Sequence, residues 1–235
     1  MADTIHIGFV VFPNVTQLDF TGPLQVLSRV PGAKTYLIWK RIEPVASDTA
    51  LTITPTATFD DCPQLDVICV PGGFGTDALL NDEEVLAFLR KQAANARYVT
   101  SVCTGSLVLA AAGLLGGYRA ATHWSAIPLL GKLGVAVEKT RVCVDRNRIT
   151  GGGVTAGIDF GLTLAEKLSD RTTAQTIQLM LEYDPAPPFN AGSPDTAPPE
   201  VVQRITQRIT SAAAGQSQRM AAVEQAAARL AASAG

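Results

Sequence analysis

The chain has 235 residues, 47% of them hydrophobic and 17% charged, with a formal net charge of −2 at pH 7. A chain of this length buries enough surface to fold without a disulfide framework or a structural metal, and its slight acidity disfavours nucleic acid binding, which needs a basic face. No apolar run reaches the roughly 18 residues of a membrane span, and the sequence enters a strand-like run without a basic leader. We therefore expect a cytoplasmic protein that binds neither nucleic acid nor membrane.

Apolar, β-rich runs alternate with helical patterns in the first half of the chain. The predicted strands are Ile5–Val11, Thr35–Trp39, Val67–Val70 and Tyr98–Val102. The predicted helices are Pro23–Val30 and Glu83–Ala94, the second capped by Asn81 or Asp82. This alternation predicts βαβ units, and therefore an α/β fold with a mostly parallel central sheet and helices on both faces.

The remaining segments are less regular. Leu51–Phe59 and Lys139–Thr150 are β segments interrupted by polar residues, which predicts a hairpin or an antiparallel edge of the sheet. Three glycines at 151–153 open a helical pattern that continues to Leu168, and a further helix is predicted over Arg171–Tyr183.

Composition changes after Tyr183. Residues 184–199 are too rich in proline for a helix or a central strand, so we expect an extended surface segment. Residues 200–235 are rich in alanine, glutamine and arginine, and predict a C-terminal helical extension that Gly215 breaks in two. The predicted organisation is one α/β domain over residues 1–183, followed by the extended segment and a helical extension of the same domain.

The chain has four cysteines, and Cys103 occupies the position best suited to chemistry. A buried strand ends there and a helix begins within a residue or two, so the thiol would face the positive end of a helix dipole, which favours thiolate. The small residues Gly105 and Ser106 would allow a sharp turn that keeps the sulfur exposed. A packing role for a small buried thiol remains an equal alternative from the pattern alone.

The other cysteines predict packing rather than catalysis. Cys69 lies within a strand, Cys143 alternates with polar neighbours, and Cys62 precedes a proline in a loop. None forms a CxxC pair, and the two histidines, His6 and His123, are not spaced as zinc ligands. We therefore expect no metal site.

Asp19 is the second candidate for chemistry. It lies between Leu18 and Phe20, and burial there would raise the pKa of its carboxyl and fit it to move a proton near a bound substrate. The alternative is a cap at the entry of the helix predicted from Pro23, a position that Thr21 would fill equally well.

Two features near the predicted strand ends have weaker signals. Gly72 and Gly73 follow a strand, and their amides would stabilise charge on a substrate. The partial dinucleotide fingerprint there lacks its acidic partner, so we expect no NAD binding. His123 would serve Cys103 as a base, but a histidine beside a tryptophan more often has a structural role.

Several motifs resemble the ThiJ/PfpI branch of the class I glutamine amidotransferase-like proteins. They are Val-Pro-Gly-Gly-Phe-Gly at 70–75, Ser-Val-Cys-Thr-Gly-Ser at 101–106 and Gly-Gly-Gly-Val-Thr-Ala-Gly-Ile-Asp at 151–159. The sequence is more similar still to isonitrile hydratases, through Gln-Leu-Asp-Phe-Thr-Gly-Pro at 17–23, Thr-His-Trp at 122–124 and Leu-Glu-Tyr-Asp-Pro-Ala-Pro-Pro-Phe-Asn-Ala-Gly-Ser-Pro-Asp-Thr-Ala at 181–197. The resemblance extends to about Val201.

The resemblance implies a flavodoxin-like sandwich, a homodimer, and no metal or organic cofactor. It makes Cys103 the nucleophile, Asp19 the acidic partner and Thr104 the threonine that follows the nucleophile. The implied reaction hydrates a small isonitrile to an N-substituted formamide through a covalent thioimidate on the cysteine.

Two alternatives follow from related proteins. Peptidase-like relatives have histidine where this chain has Thr104, and glyoxalase-like relatives usually have glutamate where it has Asp19, so both chemistries are disfavoured. The elbow also resembles sensor domains of AraC-type regulators, whose DNA-binding unit needs roughly 100 further residues. A ligand-sensing domain without catalysis is the remaining alternative.

Overall fold

The computed structural model describes residues 4–211 and 213–233 of the chain. The strands are β1 (Ile5–Val10), β2 (Ala33–Trp39), β3 (Val45–Ala46), β4 (Thr52–Ile53), β5 (Ala57–Thr58), β6 (Val67–Val70), β7 (Tyr98–Val102), β8 (Arg119–Ala120), β9 (Ala136–Val137), β10 (Val142–Asp145) and β11 (Arg148–Gly151). The helices are α1 (Gln17–Leu27), α2 (Thr76–Leu79), α3 (Glu83–Ala93), α4 (Gly105–Ala111), α5 (Ile127–Lys132), α6 (Ala156–Leu168), α7 (Arg171–Met180), α8 (Pro199–Ser211) and α9 (Ala213–Ser233), with a 3-10 turn at Trp124–Ala126.

A seven-stranded sheet runs through the middle of the protein in the order β10-β11-β7-β6-β1-β2-β5. Its strands pair in parallel except for β10, which forms an antiparallel hairpin with β11 at one edge. Helix α6 packs on α1 and α7, whereas α4 packs on α2, α3, α5 and α9. The predicted α/β sandwich with a mostly parallel sheet is confirmed, and its central strand β6 is buried along its whole length.

The strand predictions are confirmed to within two residues, and the predicted cap Asp82 accepts a hydrogen bond from the Val85 amide. The segment 139–150 is the predicted antiparallel edge hairpin. The segment 51–59 divides instead: β4 pairs antiparallel with β3 in a separate small sheet, and β5 adds a parallel strand to the main one.

The prediction that the first helix begins at Pro23 is wrong. Helix α1 begins at Gln17 and continues through Pro23, so Asp19 lies in its first turn. The close packing of α1 on α6 explains why a proline is tolerated there. A methyl group at Gly157 would lie 3.0 Å from Pro23, and one at Gly161 would lie 3.3 Å from it.

Three other boundaries differ from the prediction. Helix α6 begins at Ala156, because Gly151 completes β11 and residues 152–155 form the connection between them. Helix α7 ends at Met180 rather than at Tyr183. Helix α8 extends to Ser211 and α9 starts at Ala213, and Gly215 lies within α9 rather than between two helices.

Candidate active site

The six parallel strands of the main sheet have their carboxyl ends at one edge, which is where open α/β sheets bind ligands. Cys103 follows β7 there with a φ of 57°, a left-handed conformation that few non-glycine residues adopt. Its amide donates to the carbonyls of Gly151 and Gly152, at 3.0 and 2.8 Å. A residue held in this conformation by its neighbours is typical of a functional site.

The tight turn at Cys103 depends on the residues around it. A methyl group at Gly105 would lie 2.0 Å from the Val70 carbonyl oxygen, so only glycine fits beneath the elbow. The hydroxyls of Ser106 and Thr122 both donate to the carbonyl of Cys103, at 3.1 and 3.0 Å. These contacts fix the backbone on both sides of the thiol.

Asp19 is fully buried beside this thiol. Its Oδ2 accepts a hydrogen bond of 2.8 Å from the Gly72 amide. Its Oδ1 has no hydrogen-bond partner among the described residues. The neighbouring Cys103 thiol lowers the pKa of this carboxyl, so the acid and the sulfur form one pair.

The surroundings of the pair shift both proton affinities upward. Burial raises the pKa of Asp19 to about 7, although the Gly72 amide and the thiol oppose the shift. Burial and the charge of Asp19 raise the pKa of Cys103 well above its ordinary value. The expectations of an exposed sulfur and a lowered thiol pKa are therefore wrong, since Cys103 is only 6% exposed. The pair therefore loses its first proton near neutrality and then holds one proton.

Thr104 is bound into the loop after β6. Its Oγ1 accepts a hydrogen bond of 3.0 Å from the Gly73 amide, and the Thr76 hydroxyl approaches it at 3.3 Å. The amides of Gly72 and Gly73 thus have acceptors within the protein, Asp19 and Thr104 respectively. In this structure the two glycines position the acid and the threonine; contact with a substrate stays a prediction.

Gly72 lies between the acid and the threonine and leaves no room for a side chain. A methyl group there would lie 2.6 Å from the Thr104 amide nitrogen and 2.7 Å from Asp19 Oδ2. The backbone of this loop therefore sets the distance between the acid and the residue after the nucleophile.

His123 lies close to the elbow but is bound elsewhere. Its Nδ1 lies 2.7 Å from the Ser125 hydroxyl and accepts a longer bond from the Ser125 amide, which caps the 3-10 turn. Burial and the nearby positive charge of Arg219 lower the pKa of the imidazole. This geometry supports the structural interpretation of His123 over that of a base for Cys103.

The remaining cysteines differ from Cys103 in position. All four cysteines are free. Burial raises the pKa of Cys69, within β6, to about 12 and that of the half-buried Cys62 to about 11. Burial also raises the pKa of Cys143, on the edge hairpin. None of these three lies at the junction of a strand and a helix, as Cys103 does between β7 and α4.

Two contacts near the site were not predicted from the sequence. Thr76 is fully buried, and its hydroxyl donates to the Gly73 carbonyl at 2.8 Å as well as approaching Thr104. The next residue, Asp77, pairs with Arg219 of α9 at 2.7 Å, so the C-terminal helix is tied to the loop that carries the site. The sequence did not predict this pair, because its two residues lie 142 positions apart and neither belongs to a local motif.

Neither a metal site nor a membrane helix is present in the described part of the chain. Residues 4–211 and 213–233 contain no group of three or more His, Cys, Asp or Glu side chains placed to hold a metal ion. Across the same residues, no helix has the length and hydropathy needed to cross a membrane.

Comparison with known proteins identifies the family. The model of the DJ-1/PfpI family matches residues 6–167, which is more than half of the chain. The chain belongs to the DJ-1/PfpI family. A solved DJ-1/PfpI-type structure, a ThiJ/PfpI family protein from Pseudomonas syringae, is 47% identical and superposes with a TM-score of 0.88 over 95% of this chain and 91% of that one.

Two relatives show how the DJ-1/PfpI fold is used elsewhere. The isonitrile hydratase of Pseudomonas putida is 59% identical over 204 residues, which are 87% of this chain and 90% of that enzyme. The HTH-type transcriptional regulator GbdR of Pseudomonas aeruginosa is 33% identical over 187 residues, which are 76% of this chain but only 50% of the regulator. The similarity to the hydratase thus covers nearly the whole relative, and the similarity to the regulator covers half of it.

Proposed function

We propose that this protein hydrates isonitriles, R–N≡C, to N-substituted formamides, with Cys103 as nucleophile and Asp19 as acid and base. The observation that carries the proposal is the buried pair of Cys103 and Asp19, in which the pKa of the acid is about 7. A general acid–base group works best when its pKa lies near the operating pH. The 59% identity to an isonitrile hydratase over 90% of that enzyme supports this choice of substrate.

The first half of the reaction is the addition of the thiol across the terminal carbon of the isonitrile. The pair reacts after its one proton passes from the thiol to Asp19, so that the sulfur carries the negative charge. The thiolate forms a carbon–sulfur bond, and the electron pair left on that carbon takes the proton from Asp19. The product is a thioimidate, S–CH=N–R, and Asp19 is left ionised.

The second half returns the enzyme to its starting state. Ionised Asp19 takes a proton from a water molecule as the water oxygen bonds to the thioimidate carbon, and the nitrogen is protonated from solvent. The carbon–sulfur bond of the resulting tetrahedral intermediate then breaks. Thiolate leaves, the hydroxyl proton passes to solvent, and H–CO–NH–R is released with Asp19 protonated again.

The surrounding groups have supporting roles in this proposal. The Thr104 amide already lowers the pKa of the Cys103 thiol and would stabilise negative charge as the sulfur departs. Gly72 holds the carboxyl through its amide, and Thr104 is fixed by Gly73 and thereby positioned beside the water.

The direct test is the conversion of a panel of alkyl and aryl isocyanides by the purified protein, followed by chromatography of the formamides. We expect one formamide for each isocyanide consumed, and no conversion of methylglyoxal, the control for glyoxalase chemistry. If isocyanides bind and shift the melting temperature but are never converted, the protein is a sensor and the proposal is wrong. A homodimer in the cytoplasm is part of the proposal, and light scattering of the purified protein tests its dimeric state.

A further inference from the structure

A cleft of about 250 Å³ lies beside the elbow, between His123 and Trp124 on one wall and residues 191–205 on the other. The inner wall is continuous with the groups that hold the nucleophile. Thr122, next to His123, donates to the Cys103 carbonyl at 3.0 Å. The histidine ring lies against Gly153, at 3.5 Å from the position of a methyl group there.

The outer wall is built from the C-terminal part of the chain. Pro194 and the α8 residues Val201, Val202 and Ile205 line it. Val201 and Ile205 are 41% and 40% exposed, so these apolar side chains are left facing open space. The family model ends at residue 167, and this wall therefore lies outside the part of the fold that the model covers.

The lining favours an uncharged, apolar occupant. Its residues are mainly aliphatic or aromatic, and no Asp, Glu, Lys or Arg is among the described residues that line it. A charged group brought into such a cleft would lose its hydration without gaining a partner. The volume is just below the roughly 300–1,000 Å³ of sites for drug-sized molecules, which suits a ring or a short chain rather than a larger ligand.

We infer that this cleft binds the hydrocarbon substituent R of the isonitrile, and that α8 selects among substrates by the size of R. The inference rests on the proposed function, because R is the part of the isonitrile that does not react at Cys103. The isonitrile carbon then lies at the sulfur, and R points outward past His123 and Trp124 to the wall formed by Val202 and Ile205.

The test compares the selectivity of two variants with that of the wild type. Val202→Phe fills the cleft, and Ile205→Ala enlarges it. The measured quantity is the ratio of kcat/KM for cyclohexyl isocyanide to that for methyl isocyanide. We expect Val202→Phe to lower this ratio about 10-fold or more, since one methylene group in an apolar pocket already changes selectivity roughly 10-fold or more. Ile205→Ala should raise the ratio, and Gln203→Phe, at an exposed α8 position outside the lining, should leave it unchanged.

A second readout does not depend on hydratase activity. Alkylation of Cys103 by N-methylmaleimide and N-cyclohexylmaleimide, followed by peptide mass spectrometry, reports whether the cleft admits a ring beside the thiol. Val202→Phe should slow the cyclohexyl reagent about 10-fold relative to the methyl reagent. If the wild type forms no formamide but the labelling ratio changes as expected, the proposed reaction fails and the cleft assignment stands. An unchanged ratio in both variants would overturn the assignment. If the variants with an unchanged ratio also no longer form a dimer, a second copy of the chain covers the cleft instead.

Discussion

The substitution Asp19→Asn separates the acid's chemical role from its contribution to stability. It replaces a fully buried carboxyl whose folded-state pKa is about 7 by a neutral side chain of nearly the same shape. We expect the variant to lose about 10²- to 10⁴-fold in hydration rate, the usual contribution of a general acid–base group. We also expect it to become more stable than the wild type as the pH rises.

The size of the stability effect follows from the pKa shift. The carboxyl titrates near 3.8 in the unfolded chain and at about 7 in the folded one, which corresponds to about 4 kcal/mol in the free energy of unfolding. Because the folded state binds the proton more tightly, this stabilisation is fully present below pH 4 and is lost as the pH rises through 7. Between pH 5 and pH 8 the wild type should lose about 2–3 kcal/mol that the asparagine variant keeps.

Urea denaturation of both proteins at pH 5 and pH 8 measures this difference, and other titrating groups cancel in the comparison. Asp60→Asn, at an exposed position, is the matched control and should differ from the wild type by no more than about 0.5 kcal/mol at either pH. If Asp19→Asn has the same effect on stability at both pH values, the carboxyl is not the buried acid described above.

Three further predictions concern the site and its support. The wild-type kcat/KM should rise with pH and level off above about 7, because below that pH Asp19 and Cys103 are both protonated and no thiolate is present. A kcat/KM that is constant from pH 5 to 9 contradicts this assignment. Gly72→Ala should reduce the hydration rate at least 100-fold, since its methyl group would lie 2.7 Å from the Asp19 carboxyl oxygen. The control Gly131→Ala has open space around the added methyl group and should leave the rate unchanged, so equal rates in the two variants refute the steric argument. Arg219→Gln removes the 2.7 Å ion pair with Asp77 and should lower the free energy of unfolding by about 1–3 kcal/mol, which an unchanged urea midpoint would disprove.

Local sequence patterns predicted the central strands well because these strands are buried on both faces. The strands Val67–Val70 and Tyr98–Val102 are short, β-rich and mostly apolar, as is typical of a covered parallel sheet, and both have the predicted bounds. The start of the first helix was missed because Pro23 disfavours a helix interior on local grounds. Its tolerance depends on glycines more than 130 residues away on α6, a tertiary contact without a local signal.

The position of the reactive groups was predictable, but their proton affinities were not. The strand–helix junction indicated Cys103, and the apolar neighbours of Asp19 indicated a raised pKa if that residue were buried. The thiol pKa was predicted in the wrong direction, because the helix-terminus argument considers only local dipoles. Burial and the adjacent carboxyl outweigh those dipoles, and both arise from chain segments that lie far apart in sequence.

The most direct test of the account is formamide production from cyclohexyl isocyanide by Cys103→Ala, with Cys69→Ala as the control at another buried cysteine. We expect no turnover above background in Cys103→Ala, turnover close to that of the wild type in Cys69→Ala, and folded proteins in both cases by circular dichroism. Turnover near the wild-type level in Cys103→Ala would contradict the assignment of this thiol as the nucleophile.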